Sequence, residues 1–345
     1  MYTLIKYTDE YRLRWNTFVK ANHGSVFHLI EWKEVLELAF GYKGMYLLAI
    51  ENDGEIAGVV PLIAGRDLLM RKVGVSLPFV NYMDLCCKDE SVFHFIVNEL
   101  YKVADNCALK HIEMRFKTQE LKEPKVLLND TNFTLAIPLD GDEEQVLSYS
   151  NGNNRNHVRK VYKNQYFSVS FDNANLKKFY EIYCKTMKRL GSPVPDYRFF
   201  ELILKKLPAD TRLLTVIDNE NGEVIGGMFL FTDEDNVYYQ WGGSLTEYNK
   251  KYVNNFMYWE AVKFGLRSGY KQLDLGRSPY ESGTYKFKQQ WGAVPHQLKY
   301  YKFGNNLSGT EINRENMSLA VSMWRILPNF LTNAMGKILI KYVMP

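Results

Sequence analysis

Cysteine is scarce in this 345-residue chain, which has only Cys86, Cys87, Cys107 and Cys184. Two are adjacent and none forms a C-x-x-C pair, which excludes a disulfide framework and a zinc knuckle and suits reduced cytosolic thiols. A dominant charge is lacking too: 43 Lys+Arg stand against 39 Asp+Glu, a formal net charge of +4. Only a local basic patch, not the overall balance, would point to nucleic acid. No apolar run approaches the roughly 18 residues that cross a bilayer. The opening MYTLIKYTDEYRLRWN has early acids and no apolar core segment, so no signal peptide is expected. The 23 Gly and 11 Pro are ordinary numbers and exclude a collagen-like or low-complexity chain.

Familiar chemical motifs are missing as well. The chain has no G-x-x-x-x-G-K-[ST], no G-x-G-x-x-G and no H-E-x-x-H. Ser76, in GVSLP, lacks the second glycine of a nucleophile elbow. The six histidines are scattered, with no pair at metal-ligand spacing. Any catalysis must then come from positioning and electrostatics.

What is present is buriable surface. The 20 Phe, 24 Tyr and 6 Trp exclude disorder, and at roughly 150 residues per domain the length suggests two domains. A weak repeat supports this. YLLAIENDGEIAGVVPLIAG (Tyr46–Gly65) and RLLTVIDNENGEVIGGMFLF (Arg212–Phe231) each read as an apolar strand, an Asn/Asp/Gly turn, an acidic residue and a second apolar strand, the pattern of a hairpin. Each follows a helical segment, EWKEVLELAF (Glu31–Phe40) and DYRFFELILKKL (Asp196–Leu207). The shared order argues for duplication.

Two similar α/β halves are therefore expected, 1–145 and 146–345, divided in the polar LDGDEEQVLSYSNGNN stretch. One long helix is expected near 144–163, and a short strand near 271–275 running into a Gly/Ser/Pro loop. The C-terminal segment reads as helical with a break at Pro328. Its apolar stripe of Met323, Trp324, Leu327, Phe330, Leu331, Ile338 and Leu339 suits packing on the domains or a membrane-surface contact.

Three stretches carry candidate chemistry. NGNNRNHVRKVYKN places Arg155, Arg159, Lys160 and Lys163 close together. On a helix Arg155 and Arg159 share a face suited to phosphate; the alternative is a solvated basic face. In LPFVNYMDLC, Asn81, Tyr82 and Asp84 follow a proline turn. Asp84 there is placed to orient an ammonium or accept its proton, or simply to cap a loop. DLGRSPYESGTYKFKQQWGAVP sets Arg277, Lys286 and Lys288 among Tyr280, Tyr285, Phe287 and Trp291. Cations interleaved with rings suit a phosphorylated, ring-bearing donor, or an amphipathic helix with snorkelling lysines.

This third stretch also carries a resemblance. GTYKFKQQWGA (Gly283–Ala293) resembles the signature of FemABX-type transferases. The wider strings Trp241–Ala261, Leu273–Ala293 and RNHVRK (Arg155–Lys160) resemble FemAB-related, GNAT-superfamily proteins linked to exosortase and exopolysaccharide systems. SVFHLIEWKEVLELAFGYK and SLPFVNYMDL extend the similarity into the first half. The resemblance implies an α/β (α+β) fold of tandem duplicated GNAT-like (acyl-CoA N-acyltransferase) domains with a C-terminal helix. It also implies acyl or aminoacyl transfer to an amine of a phosphorylated or lipid-linked cell-envelope or polysaccharide precursor.

By the family's pattern Lys288 lies beside the donor ester, and Phe287 packs there with Lys286, Gly283, Thr284, Arg277 and Trp291. Arg155, Arg159 and Lys160 hold acceptor phosphates, and Asp84 lies near the acceptor amine with Asn81 and Tyr82. Tyr239, Trp241, Tyr248 and Asn255 line the acceptor cleft. No resident cofactor or metal is implied; acyl-CoA or aminoacyl-tRNA enters as donor substrate. One departure bears on that choice. The pyrophosphate loop [RQ]-x-x-G-x-[GA] of CoA-using enzymes is matched only by RKVGVS (Arg71–Ser76), which runs into a strand. The expected partners are thus a phosphorylated precursor and tRNA, not DNA, and the expected location is cytoplasmic with peripheral membrane contact through the C-terminal helix. The competing readings are a non-catalytic precursor- or carbohydrate-binding protein on a degenerate GNAT scaffold, and a nucleic-acid-binding protein using Arg155–Lys163 and Lys286–Lys288.

Overall fold

The computed structural model describes residues 1–121, 127–304, 307 and 321–343. In chain order the first elements are β1 (Tyr2–Lys6), α1 (Arg12–Ala21), α2 (Glu31–Phe40), β2 (Lys43–Gly44), β3 (Leu47–Glu51), β4 (Ile56–Val60), β5 (Ile63–Arg66) and β6 (Lys72–Val75). Then come β7 (Cys86–Cys87), α3 (Glu90–Asn106), β8 (Ile112–Phe116), β9 (Leu127–Pro138), α4 (Glu143–Tyr149), α5 (Gly152–Asn164) and β10 (Phe167–Ser170). The chain continues through α6 (Leu176–Leu190), α7 (Tyr197–Lys206), β11 (Thr211–Asp218), β12 (Val224–Thr232), β13 (Asn236–Ser244), α8 (Val253–Arg267) and β14 (Gln272–Pro279). It closes with α9 (Gly283–Gln289), β15 (Val294–Phe303), α10 (321–326) and α11 (Asn329–Val343).

The chain forms two compact units, Met1–Thr131 with Gln297–Asn313 and Ile338–Pro345, and Asn132–His296 with Arg314–Lys337. This division differs from the expected boundary at 145/146. The physical reason is strand pairing: β15 leaves the second unit and pairs antiparallel with β8, Lys299 opposite Phe116 through Phe303 opposite Ile112.

The first unit holds a four-stranded sheet in the order β1-β3-β4-β7 and a second sheet ordered β15-β8-β6-β5-β2. α3 begins where Asp89 accepts hydrogen bonds from the backbone of Ser91 and Val92, satisfying two donors that a helix start leaves unpaired. Its apolar residues Val92, Phe93, Ile96, Val97, Leu100 and Ala104 are buried, the spacing of one helical face. They pack with Leu47, Ala49, Ile112, Met114, Phe116 and Phe303.

The second unit is a sheet ordered β10-β11-β12-β13-β14-β9. α8 is buried nearly all round, from Val253 through Gly265, and shares its core with Leu214, Met228, Leu230, Leu273 and Trp291. The helix-then-hairpin order recurs: α2 precedes β3–β4, and α7 precedes β11–β12. Both hairpins carry a register slip near the turn, at Ala49/Ile50 and at Val216/Ile217.

Two local expectations are corrected. The single helix near 144–163 is α4 and α5, parted at Ser150, whose ψ of 155° is extended. Asn151 restarts the helix by accepting from Asn154 N. The presumed loop after residue 275 is strand as far as Pro279. The break at Pro328 is observed between α10 and α11. Of the apolar stripe there, Trp324 is buried while Met323 and Ile338 are exposed; residues 314–320 and the side chain of Phe330 lie outside the described residues. Among the described residues no helix is long and apolar enough to cross a membrane.

Candidate functional site

β14 runs parallel to β13 only from Asn236 opposite Gln272 to Tyr238 opposite Asp274. Beyond that point β13 stays with β12 as far as Ser244 opposite Gly226, while β14 stays with β9 as far as Pro279 opposite Asn132. The strands part, and their facing edges lose their ladder partners. Unpaired backbone donors and acceptors at such an opening are available to a ligand.

The β14 edge is shaped by a bulge. Its register against β9 slips between Asp274 and Arg277, and Gly276 takes a left-handed φ of 76°, which glycine adopts without a side-chain clash. Asp274, almost fully buried, holds the bulge by accepting from Gly276 N at 2.7 Å and from Thr134 Oγ1 at 2.5 Å.

Into this bulge reaches Lys288 from α9, a helix started by Ser282, whose hydroxyl accepts from Tyr285 N. The Lys288 ammonium donates to the carbonyls of Gly276 at 2.8 Å and Arg277 at 3.1 Å. An ammonium has three N–H donors, so one remains. The side chain is 7% exposed. Burial, opposed by Asp274 and aided by Arg277, lowers its pKa to about 8. A desolvated cation with a spare donor is suited to stabilise negative charge developing on a carbonyl oxygen.

Aromatic rings adjoin it. Phe287 meets Tyr258 edge-on at 5.3 Å, Trp291 stacks on Tyr258 at 5.9 Å, and Tyr239 meets it edge-on at 5.5 Å. The hydroxyls of Tyr239 and Tyr258 are hydrogen-bonded, and burial pushes Tyr239 up to about 12. Gly242 leaves room for Tyr239, since a Cβ there would come within 2.7 Å of its ring and hydroxyl. The Trp291 indole N–H and the Ser278 hydroxyl are buried without a hydrogen-bond partner. Buried polar groups are normally satisfied, so both are able to donate to a group that enters here.

The remaining donor candidates on α9 are at the surface. Lys286 pairs with Glu281 at 3.1 Å, Thr284 lies 3.0 Å from the Ser282 hydroxyl, and Gly283 opens into free space. Arg277 is exposed on β14.

The acceptor candidates of this unit are dispersed. Arg155 donates to the carbonyls of Ser148 and Ser150, closing the end of α4 rather than facing outward. Arg159 and Lys160 are exposed on α5, and Lys160 lies over the Tyr252 ring at 5.2 Å. Trp241 sits among Phe199, Phe200 and Phe231. The Tyr248 hydroxyl donates to Asp218 at 3.0 Å. Asn255 is buried and donates to Asn154, which in turn donates to the carbonyl of Gln290. That chain ties α8 and α5 to the end of α9, so Asn255 sets the seat of the Lys288 helix.

In the first unit, Asp84 accepts from Lys117 N at 2.7 Å, from Thr118 N at 3.1 Å and from the Thr118 hydroxyl at 2.7 Å. Its carboxylate is a clasp between two loops. The carbonyl of Asn81 accepts from the Tyr300 hydroxyl at 2.6 Å, and Lys117 lies over the Tyr82 ring.

Asp274, Ser278, Tyr258 and Asn154 were not among the sequence candidates. Asn154 left a local signal in the run of asparagines that opens α5. Among the described residues no three His, Cys, Asp or Glu side chains gather as a metal site.

Residues 152–289 match the family model of the acetyltransferase (GNAT) domain. The chain is 25% identical over 217 residues to the lipid II:glycine glycyltransferase of Staphylococcus aureus (strain MRSA252), covering 56% of this chain and 50% of that protein. It thus spans about half the length of that curated relative. The crystal structure of FemX superposes with a TM-score of 0.69 at 15% identity, covering 92% of this chain and all of that one (100%). The structure of L-PGS from Bacillus licheniformis gives 0.60 at 12% identity, covering 93% and 98%. Residues 152–289 thus match a GNAT acetyltransferase domain, and the chain shares its fold with FemX along 92% of its length.

Proposed function

We propose that the protein is an acyltransferase that moves an acyl or aminoacyl group from an ester or thioester onto an amine of a phosphorylated, lipid-linked cell-envelope or polysaccharide precursor. The observation that carries this reading is Lys288: a buried ammonium, anchored by two bulge carbonyls, with one donor left. Similarity to a lipid II:glycine glycyltransferase supports the acceptor class.

In the reaction the acceptor nitrogen attacks the donor carbonyl. A C–N bond forms, the C–O or C–S bond breaks, and the alcohol or thiol leaves with the proton given up by the amine. No protein nucleophile is needed. Alignment of the two substrates supplies about 7–11 kcal/mol of barrier reduction, and Lys288 stabilising the oxyanion about 3 kcal/mol more.

Phe287 and Trp291 flank the donor, with Gly283, Thr284, Lys286 and Arg277 at its outer part. Tyr239 faces the reacting centre at the strand opening. Arg159 and Lys160 are the exposed cations of the second unit that would meet acceptor phosphate. Arg155, Tyr248 and Asn255 act by holding these elements in place. Acyl-CoA and aminoacyl-tRNA are both donors compatible with this chemistry.

The test is transfer to lipid-linked and soluble envelope precursors from a panel of charged tRNAs and acyl-CoAs, read by mass spectrometry. Lys288→Ala is expected to lose at least about a hundredfold in turnover while keeping the wild-type circular dichroism. Unchanged turnover in that variant refutes the mechanism. Precursor binding with no product from any donor favours a non-catalytic binding protein instead.

A further inference from the structure

The turn between β5 and β6 holds three consecutive apolar side chains in water: Leu68 is 37% exposed, Leu69 57% and Met70 54%. The turn itself is locked. Asp67 accepts from Leu69 N at 3.0 Å and Arg71 N at 2.9 Å, and pairs with Arg71. Arg66 donates to the Met70 carbonyl at 2.7 Å. None of these bonds uses the apolar side chains, and Met70 is held at a left-handed φ of 61°, a conformation costly for a residue with a Cβ. Ordinary turns carry polar residues; this one presents a stiff apolar tip.

The sheet register surrounds that tip with cations. Lys110 N donates to the Lys72 carbonyl at 2.8 Å, Gly74 lies opposite Ile112, and Ile112 lies opposite Phe303. Lys72 and Lys110 therefore share the strand end from which the tip projects. Arg66, Lys72 and Lys110 have no carboxylate partner among the described residues, whereas Asp67 is taken by Arg71, and Glu113 by Arg115 with Lys302 opposite it.

We propose that the β5–β6 tip is a membrane-contact element: Leu68, Leu69 and Met70 enter the interface of an anionic bilayer, and Arg66, Lys72 and Lys110 meet its headgroups. Apolar insertion ringed by basic side chains is the arrangement that anionic lipid surfaces bind. The proposal draws on no residue of α11 or of the Lys288 site.

The test is flotation of the full chain with phosphatidylcholine vesicles containing phosphatidylglycerol, against phosphatidylcholine alone. The chain is expected to float with the anionic vesicles and to bind the neutral ones about tenfold more weakly, the difference shrinking with salt. Leu68→Ser/Leu69→Ser/Met70→Ser is expected to weaken anionic-vesicle binding at least about tenfold with an unchanged melting temperature. Leu69→Trp is expected to show a blue-shifted emission quenched by brominated acyl chains. The proposal is overturned if the wild type ignores anionic vesicles, if the triple variant binds as well as the wild type, or if the Leu69→Trp emission does not move on binding. No donor or acceptor enters the assay, so its result stands independently of the transferase reading.

Discussion

Replacing Lys288 by Met probes the site through its proton. In the folded chain the ammonium is lowered from 10.5 to about 8, chiefly by burial. That lowering is worth about 3.4 kcal/mol of differential stability between the two protonation states. A depressed lysine pKa means that folding penalises the charged form. Below pH 8 both folded and unfolded chains carry the proton and the penalty is complete. As pH rises from about 8 to 10.5 the folded chain releases its proton first, the unfolded chain holds more protons, and stability increases. The gain is about 1.3 kcal/mol between pH 7 and 9, and about 2.5 kcal/mol between pH 7 and 10.

Lys288→Met removes this titration and leaves the Gly276 and Arg277 carbonyls without their donor, a pH-independent cost of about 1–3 kcal/mol each. The two effects separate in a difference measurement. Urea unfolding of wild type and variant at pH 7, 9 and 10 is expected to show the wild type gaining on the variant by these amounts, because every other titrating group cancels. A difference that stays flat within about 0.5 kcal/mol refutes the burial and low pKa of Lys288, and with them its assignment as the oxyanion donor.

Gly292→Ala is expected to destabilise by about 3 kcal/mol in urea unfolding. A Cβ there would lie 2.6 Å from Tyr149 Cβ at a φ of 74°, and a near-wild-type midpoint would show that the α4 end yields. Asp84→Ala is expected to cost about 2–4 kcal/mol, because Lys117 N, Thr118 N and the Thr118 hydroxyl lose their acceptor. If that variant instead keeps its stability and loses transfer, the carboxylate acts on substrate rather than on the loop.

The elements that were legible in the sequence are those whose formation is a local matter. The helices α2 and α7 follow from the segments EWKEVLELAF and DYRFFELILKKL, and the twin hairpins after them follow from turn residues between apolar runs. The division of α4 from α5 was equally local, written in the Ser150–Asn151 cap, but the basic spacing of Arg155 and Arg159 masked it. Arg155 itself shows why a charge pattern is ambiguous: the same guanidinium fork that suits phosphate also closes a helix end.

By itself, the amino-acid order determined the duplicated helix-and-hairpin plan, the family signature around Lys288 and the absence of any nucleophile or metal motif. Only the tertiary structure decided that Lys288 is buried against a bulge, that Thr134 and Asp274 build that bulge across 140 positions of chain, and that Asn255 and Asn154 seat its helix. Periodicity and turn chemistry act between near neighbours and leave a readable trace. Hydrogen bonds between residues far apart in the chain, and the desolvation they impose on one ammonium, exist only once the strands and helices have packed.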